Sequence, residues 1–263
     1  QAEDADLIIA VAPDADRCAL AVPDPAAETG WAPLSGDQIG CLLGEFLASR
    51  GLEGSLANSI VSSRLLARIA HAHGLEHHTT LTGFKWIARA PQLAFGYEEA
   101  IGFCPNPSVA RDKDGIATSV VAASLFAALK TEGRTAWDEL DRLAHAHGLH
   151  VTGPLTFRVE EIEQIATGMA RLRAQPPSVL AGSPVVEVSD LAEGYRGLPP
   201  TDGVLVLTEA GDRVIARPSG TEPKLKCYLE VILPAPEGEP VPWDAAYERL
   251  ELIKREFGQI IGL

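Results

Sequence analysis

The segment RPSGTEPKLK, residues 217–226, concentrates hydrogen-bond donors in a short loop near the end of the chain. A guanidinium group can bind two phosphate oxygens at once, and an ammonium group adds a point charge. Hydroxyl groups and the backbone N–H groups around a glycine can also donate to an anion. The segment therefore predicts a phosphate-binding loop, although an ordinary turn with solvated charges can have the same composition. The candidate residues are Arg217, Ser219, Gly220, Thr221 and Lys226.

A second candidate site is the polar segment VAPDADRC, residues 11–18, which follows a short apolar run. Asp14 and Asp16 alternate along the chain, so both carboxylate groups can point the same way from an extended loop. Oxygen ligands held in this way suit a hard cation such as Mg²⁺. Arg17 could bind a phosphate group that contacts the same ion. An acidic surface turn is the alternative if this segment is considered alone.

Two further segments contain residues suited to sugar binding and to proton transfer. In FGYEEAIG, Glu98 and Glu99 could accept hydrogen bonds from sugar hydroxyl groups, although paired glutamates are also common on solvated surfaces. In TLTGFKWI, Lys85 lies among apolar residues, where burial or nearby cations could make it a usable acid or base. A structural lysine in an ion pair is the alternative.

The chain has 263 residues and a formal net charge of −14, and 46% of its residues are hydrophobic. This composition is typical of a folded globular protein with more than one domain. The excess of acidic residues argues against nucleic acid as a partner. No apolar run approaches the length of a membrane span, so no membrane partner is expected. The four cysteines are widely spaced and form no CxxC pair, which favours a reducing compartment such as the cytoplasm.

The pattern of apolar and turn residues predicts the elements that carry these segments. Residues 6–11 and 17–24 are typical of strands. Between 34 and 152, β and α patterns alternate, which predicts a complete α/β domain with a mixed sheet. Within it, residues 77–87 are rich in β-forming residues. Residues 118–130 predict a buried helix because they are apolar on most faces.

The last part of the sequence changes character. Residues 158–173 predict a charged helix that ends at the following QPP. Residues 181–263 contain strand patterns, a hairpin turn at EAGD and one closing amphipathic helix, which together predict a small α+β domain. The predicted division is the end of an α/β domain at 1–33, a complete α/β domain at 34–152, a linker helix at 153–180 and the α+β domain at 181–263.

Taken in order, the segments PDADR, TLTGFKWI, GYEEAIG, DKDG and RPSGTEPKLK closely resemble the α-D-phosphohexomutase superfamily, above all its phosphoglucomutase/phosphomannomutase members. The resemblance covers nearly the whole chain and matches the end of the family's second domain followed by its third and fourth. It implies an enzyme that moves a phosphoryl group between positions 1 and 6 of a hexose. The implied intermediate is a hexose 1,6-bisphosphate, and a phosphoserine beside a bound Mg²⁺ would donate and recover the phosphoryl group.

The same resemblance gives each candidate residue a role. The acidic loop matches the metal-binding motif, with Asp14 and Asp16 as ligands and Arg17 after them. Lys85 matches a suspected general acid/base, and the glutamates at 98–99 match the sugar-binding loop. The RPSGTEPKLK loop would hold the non-reacting phosphate group while the sugar reorients.

Two departures from the family pattern bear on what the chain can do alone. Ala12 stands where the family has its first metal-binding aspartate, which implies either a weakened metal site or a deliberate substitution. No serine-bearing SHNP-like loop is present, so the N-terminal half of a longer protein would have to supply the phosphoserine. The chain would then be inactive alone. The alternatives to a phosphohexomutase are a phosphopentomutase and a non-catalytic module that binds sugar phosphates.

Overall fold

The computed structural model describes residues 5–219 and 222–262 of the chain. The chain forms two compact units, Gln1–His147 and Gly148–Leu263. The sequence predicts a boundary slightly later, between residues 152 and 153. Every helix in the described ranges is too short or too polar to span a lipid bilayer.

The first unit begins with a small antiparallel sheet. Its strands pair in chain order and are β1 (Ile8–Val11), β2 (Cys18–Pro23) and β3 (Trp31–Pro33). The first two confirm the strands predicted at 6–11 and 17–24. The acidic segment is therefore the connection between two neighbouring strands, and its position is fixed by the hairpin that they form.

The second sheet of this unit is mixed. It consists of β4 (Ser55–Ser59), β5 (Glu76–Thr80), β6 (Leu93–Glu98) and β7 (Gly102–Cys104). Strand β4 pairs parallel with β5 on one side and with β6 on the other, while β7 pairs antiparallel with β6. The predicted α/β domain with a mixed sheet is thus confirmed. Because the chain continues from β4 first to one side and then to the other, ligand binding is expected at the carboxyl ends of β4 and β6.

The helices of the first unit are α1 (Gly36–Ala48), α2 (Leu65–Ala72), α3 (Phe84–Ile87), α4 (Gly115–Thr131) and α5 (Ala136–His147). Helix α1 begins with a capping box, in which the Ser35 hydroxyl accepts from the Gln38 N–H and the Gln38 side chain accepts from the Ser35 N–H. Its apolar face packs on β6, where the rings of Phe95 and Tyr97 are fully buried. This packing holds the start of α1 next to the end of β6.

Two sequence predictions for this unit are wrong in part. The prediction of β-structure through residues 77–87 fails after Thr80, because a turn containing a glycine with positive φ separates β5 from α3. Helix α4 is predicted to be buried, yet Ile116 and Val120 are each 64% exposed. Only one face of α4 packs against α1, β7 and the first sheet, so its other apolar side chains lie at the surface.

The second unit contains one antiparallel sheet. Its strands are β8 (Leu149–Arg158), β9 (Val179–Leu180), β10 (Ser183–Asp190), β11 (Val204–Thr208), β12 (Arg213–Pro218) and β13 (Lys224–Leu233), in the order β8-β13-β12-β11-β10-β9. The helices α6 (Ile162–Ala174) and α7 (Trp243–Ile261) pack against this sheet and each other. The EAGD turn joins β11 to β12, as predicted. The small C-terminal α+β domain is therefore confirmed.

The linker helix predicted at 153–180 is wrong for its first residues, because 153–158 continue β8. This strand pairs with β13 over its whole length. Leu155 and Phe157 alternate with more exposed neighbours, which is the period-two pattern of a strand. Helix α6 packs on α7, so it belongs to the second unit and does not connect two domains.

Candidate functional site

The acidic loop after β1 folds back on itself. The N–H of Ala12 donates to the carbonyl oxygen of Arg17 at 3.0 Å, and the N–H of Ala15 donates to the carbonyl oxygen of Ala12 at 2.8 Å. Ala15 has a φ of 59°, a left-handed conformation that is unfavourable outside glycine. Gly115, the first residue of α4, donates its N–H to the Ala15 carbonyl oxygen at 2.9 Å. The loop is therefore fixed to the beginning of α4.

Asp16 is the most strongly held carboxylate of this loop. Its Oδ2 lies 3.2 Å from Lys113 Nζ, whereas its Oδ1 is buried without a hydrogen-bond partner in the described parts of the chain. Burial raises the pKa of Asp16, but Lys113, Asp14 and Arg17 outweigh this effect and leave the pKa below its usual value. Asp16 is thus an ionised carboxylate with one unsatisfied oxygen, which suits a bound cation.

The acidic loop offers a divalent cation two carboxylates, those of Asp14 and Asp16. Position 12 adds none, because its residue is Ala12. Within residues 5–219 and 222–262, no group of three His, Cys, Asp or Glu side chains could hold a metal ion. Mg²⁺ commonly takes one or two carboxylates and completes its coordination with phosphate and water oxygens. The loop therefore fits Mg²⁺ provided that a ligand supplies further oxygens.

Glu98, at the end of β6, lies beside the same lysine. A Cβ added to Gly102 would lie 2.9 Å from Glu98 Oε1 and 2.6 Å from Lys113 Cδ. Gly102 also forms an isolated β-bridge with Arg17. Burial raises the pKa of Glu98, and the positive charges of Lys113 and Arg17 partly oppose this. The structure thus brings together four charged side chains, those of Asp16, Arg17, Glu98 and Lys113.

Lys113 is a candidate that the sequence did not single out. It belongs to the DKDG segment, which supports the family resemblance but received no role. Its side chain is only 17% exposed, and its Nζ lies 3.2 Å from Asp16 and 3.5 Å from Asp112. Burial lowers the pKa of Lys113, but these carboxylates and Glu98 outweigh burial and raise it. The sequence feature that could have identified Lys113 is its position between two aspartates just before a helix.

Glu99 has different surroundings from its neighbour. Ser59 Oγ and Ser62 Oγ lie 3.3 Å and 3.2 Å from Glu99 Oε2 and can donate to it. Burial raises the pKa of Glu99, and the charge of Glu98 adds to this, while both serines act in the opposite direction. The backbone is confined as well, because a Cβ at Gly36 would overlap the Glu99 carbonyl oxygen. Neither serine was predicted, since isolated serines form no recognisable motif.

Lys85 lies apart from these contacts. It is exposed on the single turn of α3, which buries Phe84 and Ile87 instead. Its Nζ lies 5.9 Å from the centre of the Trp86 ring. Lys85 is thus not buried among its apolar neighbours, because Phe84 and Ile87, three residues apart, occupy the buried face of the turn. Its role as an acid or base stays a prediction.

The second unit gathers cations at one end of its sheet. Arg217 on β12 is directly opposite Lys226 on β13, and Lys224 on β13 is directly opposite Arg158 on β8. Like charges directly opposite each other on one face destabilise a sheet. Lys224 Nζ also lies 2.6 Å from Glu222 Oε1. The two pairs of like charges favour binding of an anion at this end of the sheet.

The predicted phosphate loop follows β12 at this cationic end. The N–H of Ser219 donates to the carbonyl oxygen of Lys224 at 2.8 Å, which closes the turn. Gly220 and Thr221 lie outside the described residues, so the predicted nest of backbone N–H groups stays a prediction. Arg158 also belongs to this cationic group. Its position was not predicted, because the sequence pattern indicated that a helix begins at residue 158.

Two family models match consecutive parts of the chain. Residues 35–146 match the alpha/beta/alpha domain III of phosphoglucomutase/phosphomannomutase. Residues 130–237 match the C-terminal domain of phosphoglucomutase/phosphomannomutase. The two models together cover residues 35–237, which include most of each compact unit.

Individual relatives agree with the family models. A Haemophilus influenzae protein named "Probable phosphomannomutase" is 43% identical over 230 residues, which are 87% of this chain and 46% of the relative. The phosphopentomutase of Mus musculus is 30% identical over 292 residues, covering 98% of this chain and 45% of the relative. The solved structure of the Paramecium phosphoglucomutase pp63/parafusin has a TM-score of 0.70 at 19% identity and covers 98% of this chain and 46% of that one. The chain spans about half the length of the curated relatives it matches.

Proposed function

This chain belongs to the phosphoglucomutase/phosphomannomutase family, and we propose that it acts as the C-terminal half of a phosphohexomutase. The complete enzyme would interconvert hexose 1-phosphate and hexose 6-phosphate through a bisphosphorylated sugar. Its phosphoserine would lie in the half of the relatives that this chain does not match. The chain alone would bind a phosphosugar without turnover.

The observation that carries this proposal is the convergence of Asp16, Arg17, Glu98 and Lys113 in the first unit. These residues come from three segments that are far apart in the sequence. Together they offer carboxylates for a cation and for sugar hydroxyl groups, and positive charges for a phosphoryl group. Phosphoryl transfer depends mainly on positioning and on neutralisation of charge, which such a set can provide.

We propose that Asp14 and Asp16 hold the Mg²⁺ ion of this enzyme. When bound, the ion would neutralise negative charge on the transferring phosphoryl group. Arg17 would bind oxygens of the same group through its guanidinium fork. Because Ala12 contributes no ligand, the affinity for Mg²⁺ would be lower than with a third aspartate.

The two candidate lysines of the first unit, Lys113 and Lys85, would have different tasks. Lys113 is held in its charged form by Asp16 and Asp112, which suits neutralisation of a phosphoryl group better than acceptance of a proton. Lys85 is exposed, so it can exchange a proton with a sugar hydroxyl group. We therefore assign proton transfer to Lys85 and charge stabilisation to Lys113.

The sugar and its second phosphate group would be held by the remaining candidate residues. Glu98 and Glu99 would accept hydrogen bonds from sugar hydroxyl groups. The cationic end of the second sheet would bind the phosphate group that does not react, since an anion would offset the repulsion within its like-charged pairs. The residues proposed to hold that group are Arg217, Ser219, Gly220, Thr221 and Lys226.

The expected partners are a phosphosugar and a hexose 1,6-bisphosphate, as intermediate or activator. The expected location is the cytoplasm. The four cysteines are buried and unbridged, which suits a reducing compartment.

The proposal is tested by assaying the full-length protein with glucose 1-phosphate, mannose 1-phosphate and ribose 1-phosphate, each with Mg²⁺ and the matching bisphosphate. Turnover of at least one hexose phosphate, absent from the isolated chain, is the expected result. Turnover of ribose 1-phosphate alone would make the protein a phosphopentomutase, which the similarity to the mouse enzyme supports as the second candidate.

A different outcome would favour a non-catalytic role, for which the missing carboxylate at Ala12 is the supporting observation. In that case the full-length protein would bind sugar phosphates without converting any of them. Isothermal titration calorimetry with glucose 6-phosphate would detect such binding. Binding without turnover, in protein loaded with Mg²⁺ and phosphorylated on serine, would contradict the mutase proposal.

A further inference from the structure

Residues 59–63, here called the serine loop, lie at the carboxyl end of β4 and next to the end of β6. Open α/β sheets bind ligands at the point where the chain continues to opposite sides of one strand, and β4 is that strand here. Ser59 and Ser62 of this loop contact Glu99, which directly follows β6. The three side chains therefore occupy the part of the sheet where a ligand is expected.

Ser59, Ser62 and Glu99 form a closed triangle of polar contacts. The two Oγ atoms are 2.9 Å apart, and they lie 3.3 Å and 3.2 Å from the same oxygen, Oε2 of Glu99. The serines are only 2% and 1% exposed, so water does not readily replace their hydroxyl groups. Two contacts to one oxygen restrict rotation of the carboxyl group. The backbone N–H of Glu99 also donates to its carboxyl group. The remaining lone pairs can then accept a hydrogen bond from a ligand in a defined direction.

The serine loop is itself fixed by side chains from several other elements. Asn58 Nδ2 donates to the carbonyl oxygen of Ser63 at 2.8 Å, and the His77 ring on β5 lies 3.0 Å from Asn58 Oδ1. Asp37 Oδ1 on α1 accepts from the Ser63 N–H at 2.7 Å and from the Tyr97 hydroxyl at 2.9 Å. The two hydroxyl groups are thus presented by a rigid backbone, as a positioning role requires.

We propose that Ser59 and Ser62 are positioning residues that orient the Glu99 carboxyl group toward a sugar hydroxyl. This inference rests on the proposed function, in which Glu99 binds the sugar. Glu98 has no equivalent support, because it lies beside Lys113 and Gly102 instead. The serine loop therefore sets the direction in which Glu99 accepts a hydrogen bond. That direction distinguishes hexoses that differ in the orientation of one hydroxyl group.

The test compares the full-length enzyme with its Ser59→Ala/Ser62→Ala variant on glucose 1-phosphate and mannose 1-phosphate. We expect kcat/KM on the preferred hexose to fall about 10- to 100-fold, because a misdirected carboxylate no longer aligns the substrate. The ratio of kcat/KM for the two sugars should move toward one. Ser62→Thr keeps a hydroxyl group and should retain most of the activity and the preference.

Ser124→Ala is the matched control, because this serine is exposed and donates only to its own helix, at Val120 O. Thermal unfolding of each variant separates loss of folding from loss of positioning. Ser62→Ala alone replaces the double variant if the latter does not fold, with the same change of ratio expected.

An unchanged ratio of kcat/KM in folded Ser59→Ala/Ser62→Ala protein would overturn the positioning role while leaving the mutase proposal intact. A wild-type full-length enzyme without activity on either hexose would overturn the proposed function and the serine role together. Glu99→Gln tests whether the serines act through Glu99. Its ratio of kcat/KM for the two sugars should change in the same way as that of the Ser59→Ala/Ser62→Ala variant.

Discussion

The carboxylates of Asp212 in the second unit and of Asp16 in the first are satisfied to different degrees. In the second unit, Asp212 is fully buried, accepts from Arg249 at 2.9 Å and 2.6 Å, and also accepts from Thr208 Oγ1 at 2.9 Å. In the first unit, Asp16 has one oxygen beside Lys113 and one buried oxygen without a partner in the described ranges. The first arrangement holds the fold together, and the second leaves capacity for a ligand.

This difference concerns the carboxylate oxygens, because the structural carboxylates have both oxygens occupied and Asp16 does not. Glu230 of the second unit is also fully buried, but its two oxygens lie 3.1 Å from His150 and 3.1 Å from Arg213. Both oxygens of this carboxylate are therefore occupied without a ligand, although His150 Nε2 is buried without a hydrogen-bond partner in the described ranges. By contrast, Glu98 and Glu99 keep raised pKa values because burial is only partly compensated around them.

Replacing Asp212, whose two carboxylate oxygens both accept hydrogen bonds, should have the largest effect on stability. We expect Asp212→Asn to lower the free energy of unfolding by about 3 kcal/mol, because Arg249 then lacks its ionised partner. Arg249 is 23% exposed, which keeps the loss at the lower end of the usual range. Urea unfolding measures the change, with the exposed Glu237→Gln as control. If Asp212→Asn loses no more unfolding free energy than Glu237→Gln, the structural role assigned to Asp212 is wrong.

Arg217 tests the opposite case, a charge whose partner is proposed to be a ligand. We expect Arg217→Ala in the full-length enzyme to raise KM about 10- to 100-fold with little change in stability, because hydrogen bonds to a charged phosphate are lost. Steady-state kinetics measure the change, and Arg255→Ala, at an exposed position on α7, is the control. Unchanged kinetics would show that the cationic end of the sheet does not bind the substrate.

Ala12→Asp adds a third carboxylate to the acidic loop, beside the unsatisfied oxygen of Asp16. We expect the Kd for Mg²⁺ to fall by about tenfold, comparable to the effect of other changes around metal ligands. Calorimetric titration of the full-length protein measures it, with Asp14→Asn as a variant expected to bind more weakly. An affinity that responds to neither substitution would place the metal ion elsewhere.

The smallest of these expected effects is the change that Glu99→Gln makes in the pH dependence of stability. The folded-state pKa of Glu99 is raised by burial, so between the ordinary and the raised pKa the folded protein binds more protons than the unfolded chain. Stability of the wild type therefore falls as pH rises through that interval. The variant should lose this part of the slope. Urea unfolding at several pH values measures it, and an identical slope in both proteins would contradict the inferred burial effect.

Some features of the candidate site follow from short stretches of the sequence. Asp14, Asp16 and Arg17 are neighbours in one short loop, so their closeness in the fold needs no tertiary contact. The strand that leads to Glu98 has a clear apolar pattern and ends at Glu98 itself. Such features depend on few residues in succession and need no knowledge of packing.

Features that depend on tertiary packing were not predictable in this way. Lys113 reaches Asp16 only because the start of α4 packs on the acidic loop. Arg158 faces Lys224 only because 149–158 pairs with β13, and the charged residues nearby favoured a helix instead. The exposed side of α4 was missed for the same reason, since an apolar sequence does not reveal which of its faces has a neighbour.

Gly36 contributes no functional group, yet a single methyl group there would collide with the peptide that carries Glu99. Every replacement at this position must push the glutamate backbone away from the start of α1. In a survey of random substitutions, position 36 should therefore behave as intolerantly as a residue that contacts the sugar. A glycine whose only task is to leave space can thus impose as strict a constraint on the evolution of this protein as the reactive groups themselves.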